Sequence, residues 1–257
     1  MAKQVNDLRS ALELLESIPG QMVHTDVEVD PAGELAGVYR HVGAGGTVPR
    51  PTKIGPAMTF NKIKGHPDAK VVIGLLASRK RVGHLFDYDY KKLGFLLKDA
   101  VKHPIDPVVI EEKPVCQEVV HLATDEGFDI RKLVPAPTNT PEDAGPYITL
   151  GMCYASDVET GEYDVTIHRL CLQSKDEISM FFTPGARHLG AFREKAEALG
   201  KPLPISISIG VDPAIEIASC FEPPTTPLGF NELSIAGAIR GKAVELTPCV
   251  TIDEKCI

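Results

Sequence analysis

No run of apolar residues in this 257-residue sequence approaches the ~18 needed to cross a bilayer, so no membrane span is expected. A basic excess is also missing: 27 Lys and Arg stand against 35 Asp and Glu, a net charge of −8. A protein that tracks phosphates along a nucleic acid needs a basic face, and no Lys/Arg-dense run supplies one. The one concentrated cationic stretch, residues 78–84 (SRKRVGH), reads as a solvated helix start rather than a polyanion site. The amphipathic N-terminal stretch MAKQVNDLRSALELLESI lacks the apolar core and cleavage site of a signal peptide. The reading is a cytoplasmic protein.

Paired cysteines are absent too. The six cysteines, at 116, 153, 171, 220, 249 and 256, form no CxxC, which argues against a zinc ribbon and a disulfide framework. Cys153 and Cys171 fall in apolar strand patterns and read as small buried hydrophobes. The glycine-rich stretch 41–52 (HVGAGGTVPRPT) fits neither GxGxxG nor the P-loop and reads as a structural turn. There is no internal repeat and no low-complexity segment. What is present, 43% apolar and 24% charged residues, is ordinary globular composition with enough length to bury a core.

The first ~105 residues mix helices and strands by their periodicity. Residues 6–18 carry an apolar stripe at 8, 11, 12, 15 and 18, closed by Pro19-Gly20. Strands are expected in 22–29, 57–65 and 69–78, and helices in 30–42, 79–86 and 91–103. The Pro-rich stretch 103–115 (HPIDPVVIEEKPV) reads as a boundary, dividing the chain into 1–110 and 111–257. Strands dominate the second part: 116–124, 147–156, 163–173, 178–182, 204–210 and 243–251. Gly161 is available for a positive φ in the connection 157–163 (DVETGEY), and two successive hairpins suggest an antiparallel meander or barrel. Two helices interrupt it, 187–200 and 231–241, the latter with Asn231 as N-cap and Glu232 in its first turn.

The stretch 163–172 (YDVTIHRLCL) alternates as a strand yet carries a carboxylate, an imidazole and a guanidinium. Asp164, His188 and Glu232 each have a structural explanation: opening a strand, starting a helix and complementing a helix dipole. Together they form a carboxylate–imidazole–carboxylate set suited to Mn²⁺ or Mg²⁺. Their spacing matches no local metal motif, so the fold would have to gather them.

The runs DVTIHR (164–169), PGARHLGAFREKAEALGKPLPISISIGVDPA (184–214) and NELSIAGAIRG (231–241) resemble the UbiD family of decarboxylases that use prenylated FMN. The stretches 34–52, DEGFDIRKLVPAPTNTPEDAGPY (125–147) and CFEPPTTPLGFNE (220–232) resemble its hydroxybenzoate branch, which acts on gallate and protocatechuate. The resemblance implies an α+β fold, with an N-terminal mixed α/β domain followed by a split β-barrel that binds the flavin. It implies non-oxidative, reversible decarboxylation of a small aromatic carboxylic acid.

On this resemblance Asp164, His188 and Glu232 would ligate a Mn²⁺ that holds the cofactor phosphate; Asp164 stands where the family has Asn, adding a negative charge. Arg169 would be the catalytic residue beside the flavin, Ile167 and His168 would flank the cofactor, and Arg187 would help hold its phosphate. An alkali cation such as K⁺ would lie near residues 219–221. A flavin prenyltransferase would supply the cofactor, and the full-length protein would be a homo-oligomer. Family members continue past VTIDEKCI (250–257), and the proton-donating acid lies in that later part. The expectation is therefore that these 257 residues alone release no CO₂, the alternative reading being a non-catalytic flavin- and metal-binding fragment.

Overall fold

Polar caps set the helix starts of this chain. The structure, a computed structural model of the chain, describes residues 5–46, 51–112, 114–182 and 188–257. Asp7 opens α1 (Leu8–Glu16) by accepting from the Ser10 amide at 2.7 Å, while the Ser10 hydroxyl accepts from the Asp7 amide. Three short strands, β1 (Met22–Thr25), β2 (Ala57–Phe60) and β3 (Val71–Ile73), form a sheet ordered β1-β2-β3, parallel then antiparallel. Helix α2 (Glu34–Ala44) covers it, with Leu35 buried against Met58, Phe60 and Ile63. The glycine-rich turn begins at Gly45, whose φ of 91° ends α2 in the left-handed region; residues 47–50 lie outside the described residues.

Helices α3 (Arg79–Leu85) and α4 (Leu93–Lys102) follow as expected. The solvated reading of 78–84 needs correction at Arg81. Arg79 and Lys80 are exposed, but Arg81 is 1% exposed and donates to the Gly74 carbonyl at 2.7 Å and the Gly55 carbonyl at 2.6 Å. A guanidinium can be buried there because two backbone acceptors replace its water.

Beyond residue 105 lie β4 (Val108–Val109), α5 (Ile130–Leu133), β5 (Tyr147–Ser156), β6 (Tyr163–Leu172) and β7 (Ile178–Met180). Then come α6 (His188–Ala198), β8 (Ser206–Ser208), α7 (Pro213–Ala218), α8 (Glu232–Arg240), β9 (Glu245–Pro248) and β10 (Lys255–Cys256). Strands β5, β6 and β7 form the expected meander inside an antiparallel sheet ordered β7-β6-β5-β8. The remaining strands form a small sheet ordered β10-β9-β4. Among the described residues no sheet closes on itself into a barrel.

Two sequence expectations fail in this part. Residues 116–124 form no strand; a 3₁₀ turn occupies Val115–Gln117, and Val119 is 72% exposed, so the alternation has neither a buried face nor a neighbouring ladder to join. Helices α5 and α7 are not among the expected elements, although Asp129 caps α5 by accepting from the Arg131 amide at 3.0 Å and Asp212 caps α7 by accepting from the Ala214 amide at 2.8 Å with Pro213 in its first position.

The meander sheet is buried on both faces. Met152, Tyr154 and Val165 face the largest core cluster, with Leu15 of α1, Leu85 of α3, Ala100 of α4, Ala214 of α7 and Leu233 of α8. Cys153, Ala155, Leu170 and Leu172 face the other way, against Leu189 and Phe192 of α6. The core thus crosses residue 110, joining α1, α3 and α4 to the later sheet. Both Cys153 and Cys171 are buried, as small apolar residues in strands should be.

Candidate metal and cofactor site

The hairpin turn that precedes β6 places the first functional residue. Asp157 accepts from the amides of Glu159 and Thr160 at 2.8 and 3.0 Å, and Gly161 turns the chain at φ 72°. Asp164 is then the second residue of β6, opposite Ala155, and is buried. Its Oδ2 accepts from the Leu189 amide at 3.0 Å, which pins the start of α6 to the strand. The same contact brings His188, the first residue of α6, within 4.0 Å of Asp164 Oδ1 through its Nδ1.

Glu232 arrives from the other side. Asn231 caps α8 by accepting from the Leu233 amide at 3.0 Å and donates through Nδ2 to the Tyr163 hydroxyl. This ties the start of α8 to the start of β6, so the acid in the first turn of α8 points at Asp164. One ligand atom from each of Asp164, His188 and Glu232 lies within 4.8 Å of the other two.

The electrostatics of this cluster are unbalanced. Glu232 is 2% exposed, and its Oε2 makes no hydrogen bond. Burial, reinforced by the neighbouring Asp164 charge, pushes its carboxyl up to about 8. Burial also raises the Tyr163 hydroxyl, to about 12, with Asp106 and Glu232 contributing. Two buried carboxylates, an imidazole and an unpartnered oxygen make a donor set that a hard or borderline divalent cation would satisfy. The site residues therefore fit such an ion.

The other expected residues sit along or beside β6. Ile167 is half-buried and packs against the main core cluster, on the same side as Val165. His168 is buried; its Nδ1 lies 3.2 Å from the Phe181 carbonyl and its ring is tilted onto Phe182, centroids 5.1 Å apart. Arg169 is exposed, and its charge opposes the rise that the Cys171 contact and burial impose on the Tyr147 phenol. Arg187 lies outside the described residues. In the stretch 219–221 the Ser219 hydroxyl is committed to the Ile215 carbonyl at 2.7 Å.

The structure thus gathers Asp164, His188 and Glu232, and leaves Arg169 out of that cluster. Five residues of strand, roughly 17 Å, separate Asp164 from Arg169, and strand alternation puts them on opposite faces. A bulge in β6 between them would bring the two to one face, but the register shift lies in β5, between Ile148 and Gly151. Strand β6 pairs with β7 only over residues 170–172, so its earlier part has no second strand beside it among the described residues. A group lying along that edge would meet both faces. Tyr163 is a positioning residue that sequence reasoning misses, since a tyrosine opening a strand has an ordinary packing explanation.

Comparison with known proteins now decides the family. Residues 108–257 match the family described as UbiD, 3-octaprenyl-4-hydroxybenzoate carboxy-lyase Rift-related domain, and residues 12–100 match its N-terminal domain. The chain belongs to the UbiD family. It is 56% identical over 258 residues to gallate decarboxylase of Lactiplantibacillus plantarum, covering all of this chain and 53% of that protein. The crystal structure of apo 3,4-dihydroxybenzoic acid decarboxylase from Klebsiella pneumoniae superposes with a TM-score of 0.90 at 54% identity, covering 98% of this chain and 52% of the other. A UbiD-class enzyme from Pelotomaculum thermopropionicum in complex with prFMN gives a TM-score of 0.84 at 32% identity, over 97% of this chain and 54% of that one. This UbiD chain spans about half the length of the relatives it matches.

Proposed function

We propose that this protein is a hydroxybenzoate-type carboxy-lyase that reversibly decarboxylates a gallate-, protocatechuate- or 4-hydroxybenzoate-like acid without net oxidation, using prenylated FMN and Mn²⁺. The observation that carries the reading is the convergence of Asp164, His188 and Glu232 with one buried Glu232 oxygen left unpartnered. The likeness to decarboxylases of gallate and of 3,4-dihydroxybenzoic acid supports the substrate class, and the prFMN complex of a relative supports the cofactor.

In this reading Asp164, His188 and Glu232 hold the Mn²⁺, which with Arg187 anchors the cofactor phosphate. Ile167 and His168 flank the cofactor along the free edge of β6. When bound, prenylated FMN supplies the electron sink that the leaving CO₂ requires. Arg169 stays protonated at any working pH, so it can hold and orient a carboxylate in one position. K⁺ beside the Mn²⁺ belongs to the same proposal, as do a split-barrel form for the flavin-binding part and the units 1–110 and 111–257. So do homo-oligomerisation, cytoplasmic location and supply of the cofactor by a flavin prenyltransferase. Among the described residues no helix is long and apolar enough to cross a membrane.

A second reading is a non-catalytic flavin- and metal-binding fragment, which the Asp164–His188–Glu232 cluster would serve equally well. One experiment separates the two. The chain is co-expressed with a flavin prenyltransferase, assayed for bound Mn²⁺ and flavin, and supplied with gallate and 3,4-dihydroxybenzoate. CO₂ release selects the carboxy-lyase, whereas cofactor and Mn²⁺ retention without CO₂ selects the fragment. If Asp164→Ala, His188→Ala and Glu232→Ala all retain Mn²⁺ like the parent chain, both readings fail.

A further inference from the structure

Three of the six cysteines, scattered along the sequence, lie on or beside the β9–β10 hairpin. In the β9–β10 hairpin Cys256 stands opposite Thr247, and the ladder continues one pair beyond β9 through the Cys249 amide, which donates to the Glu254 carbonyl at 2.8 Å. Strand alternation therefore puts Cys249 and Cys256 on one face of the hairpin, as diagonal neighbours. Gln117 donates to the Pro248 carbonyl at 2.7 Å and so fastens the 3₁₀ turn carrying Cys116 to the same hairpin. The Cys256 thiol is near enough to those of Cys116 and Cys249 for each to perturb its proton affinity.

We propose that Cys116, Cys249 and Cys256 form a binding site for one soft, thiolate-seeking metal ion, of the Zn²⁺ or Cu⁺ type. Thiolate sulfur selects such ions over the Mg²⁺ and Mn²⁺ that oxygen and imidazole donors hold. Cys256 is the central ligand. Cys116 and Cys249 flank it and sense each other only electrostatically, so the trio closes when Cys116 swings inward. Cys116 can do so, because it sits exposed on a three-residue turn. It also lines an open cleft of about 630 Å³, shared with Val244, Glu245 and Ile257, so an ion can reach Cys116 from solvent.

Burial raises all three thiols, so each carries its proton until a metal displaces it. Binding therefore releases protons and tightens as pH rises. Sulfur ligation separates this site from the Asp164–His188–Glu232 cluster, with which it shares no residue.

The test is a titration of the reduced, chelator-treated chain with Cd²⁺, a soft probe whose bonds to sulfur give an ultraviolet charge-transfer band that oxygen and nitrogen ligands do not. One equivalent should saturate the band, in the parent chain and equally in Cys220→Ser. Cys256→Ser and Cys116→Ser should each weaken the binding at least ~100-fold. The proposal is overturned if one equivalent produces no sulfur-to-cadmium band. It is equally overturned if the band survives unchanged in both serine variants.

Discussion

Replacing Glu232 by Gln removes the titrating carboxyl from the buried cluster while keeping the side chain's size. In the metal-free chain the Glu232 carboxyl titrates near 8, against 4.5 for an unhindered one, because it is buried beside Asp164. Between those two pH values the folded state holds a proton that the unfolded state has released. The contribution to stability is therefore fully present below about pH 4.5, falls as pH rises, and is gone above about pH 8. At ~1.4 kcal/mol per pH unit the fall amounts to roughly 3–5 kcal/mol. A divalent ion offsets the same penalty by neutralising the two carboxylates.

Urea unfolding of chelator-treated protein at pH 5, 6, 7 and 8 measures this directly. The parent chain should lose stability relative to Glu232→Gln across that range. Added Mn²⁺ should restore it to the parent at pH 8 and do little for the variant. Two results would refute the reasoning: stabilities of the two proteins that run parallel from pH 5 to 8 within about 0.5 kcal/mol, or equal stabilisation of both by Mn²⁺.

Other substitutions probe the supports of the site. Asn231→Ala removes the cap of α8 and its link to Tyr163, and should cost about 1–2 kcal/mol in urea unfolding while weakening Mn²⁺ binding measured by calorimetry. Asp212→Ala breaks a two-pronged pair with Arg240, at 2.6 and 2.7 Å, and the cap of α7, so a loss of roughly 3–5 kcal/mol is expected by the same assay. Arg81→Met leaves the Gly55 carbonyl without a donor and the Gly74 carbonyl with only the Ala77 amide, at 3.2 Å, and should destabilise by roughly 2–4 kcal/mol. A Cβ at Gly237 would lie 2.4 Å from the Ile105 carbonyl, so Gly237→Ala should displace α8 and cost about 1–3 kcal/mol in thermal or urea unfolding.

Features whose cause is local are legible in neighbouring residues. The spans of β5 and β6 follow from period-2 alternation, the turn between them from Gly161, and the start of α8 from Asn231. Residues 116–124 carry the same alternation and form no strand, because a strand also needs a neighbour to bond and a face to bury. The start of α7 is written in Asp212-Pro213, but the alternation of 204–210 runs almost into it and masks so short a helix.

By itself the sequence singled out the candidate residues: two acids and an imidazole at strand and helix starts and Arg169 within β6, in motifs that resemble one family. Only the tertiary structure decided that Asp164 meets His188 and Glu232, through hydrogen bonds that reach across 25 and 68 residues. It also decided that Arg169 stands apart from them and that Cys249 and Cys256 share one face of a hairpin to which the turn carrying Cys116 is fastened. Side-chain periodicity is set by adjacent positions, whereas convergence depends on which elements pack together, and packing is a property of the whole chain.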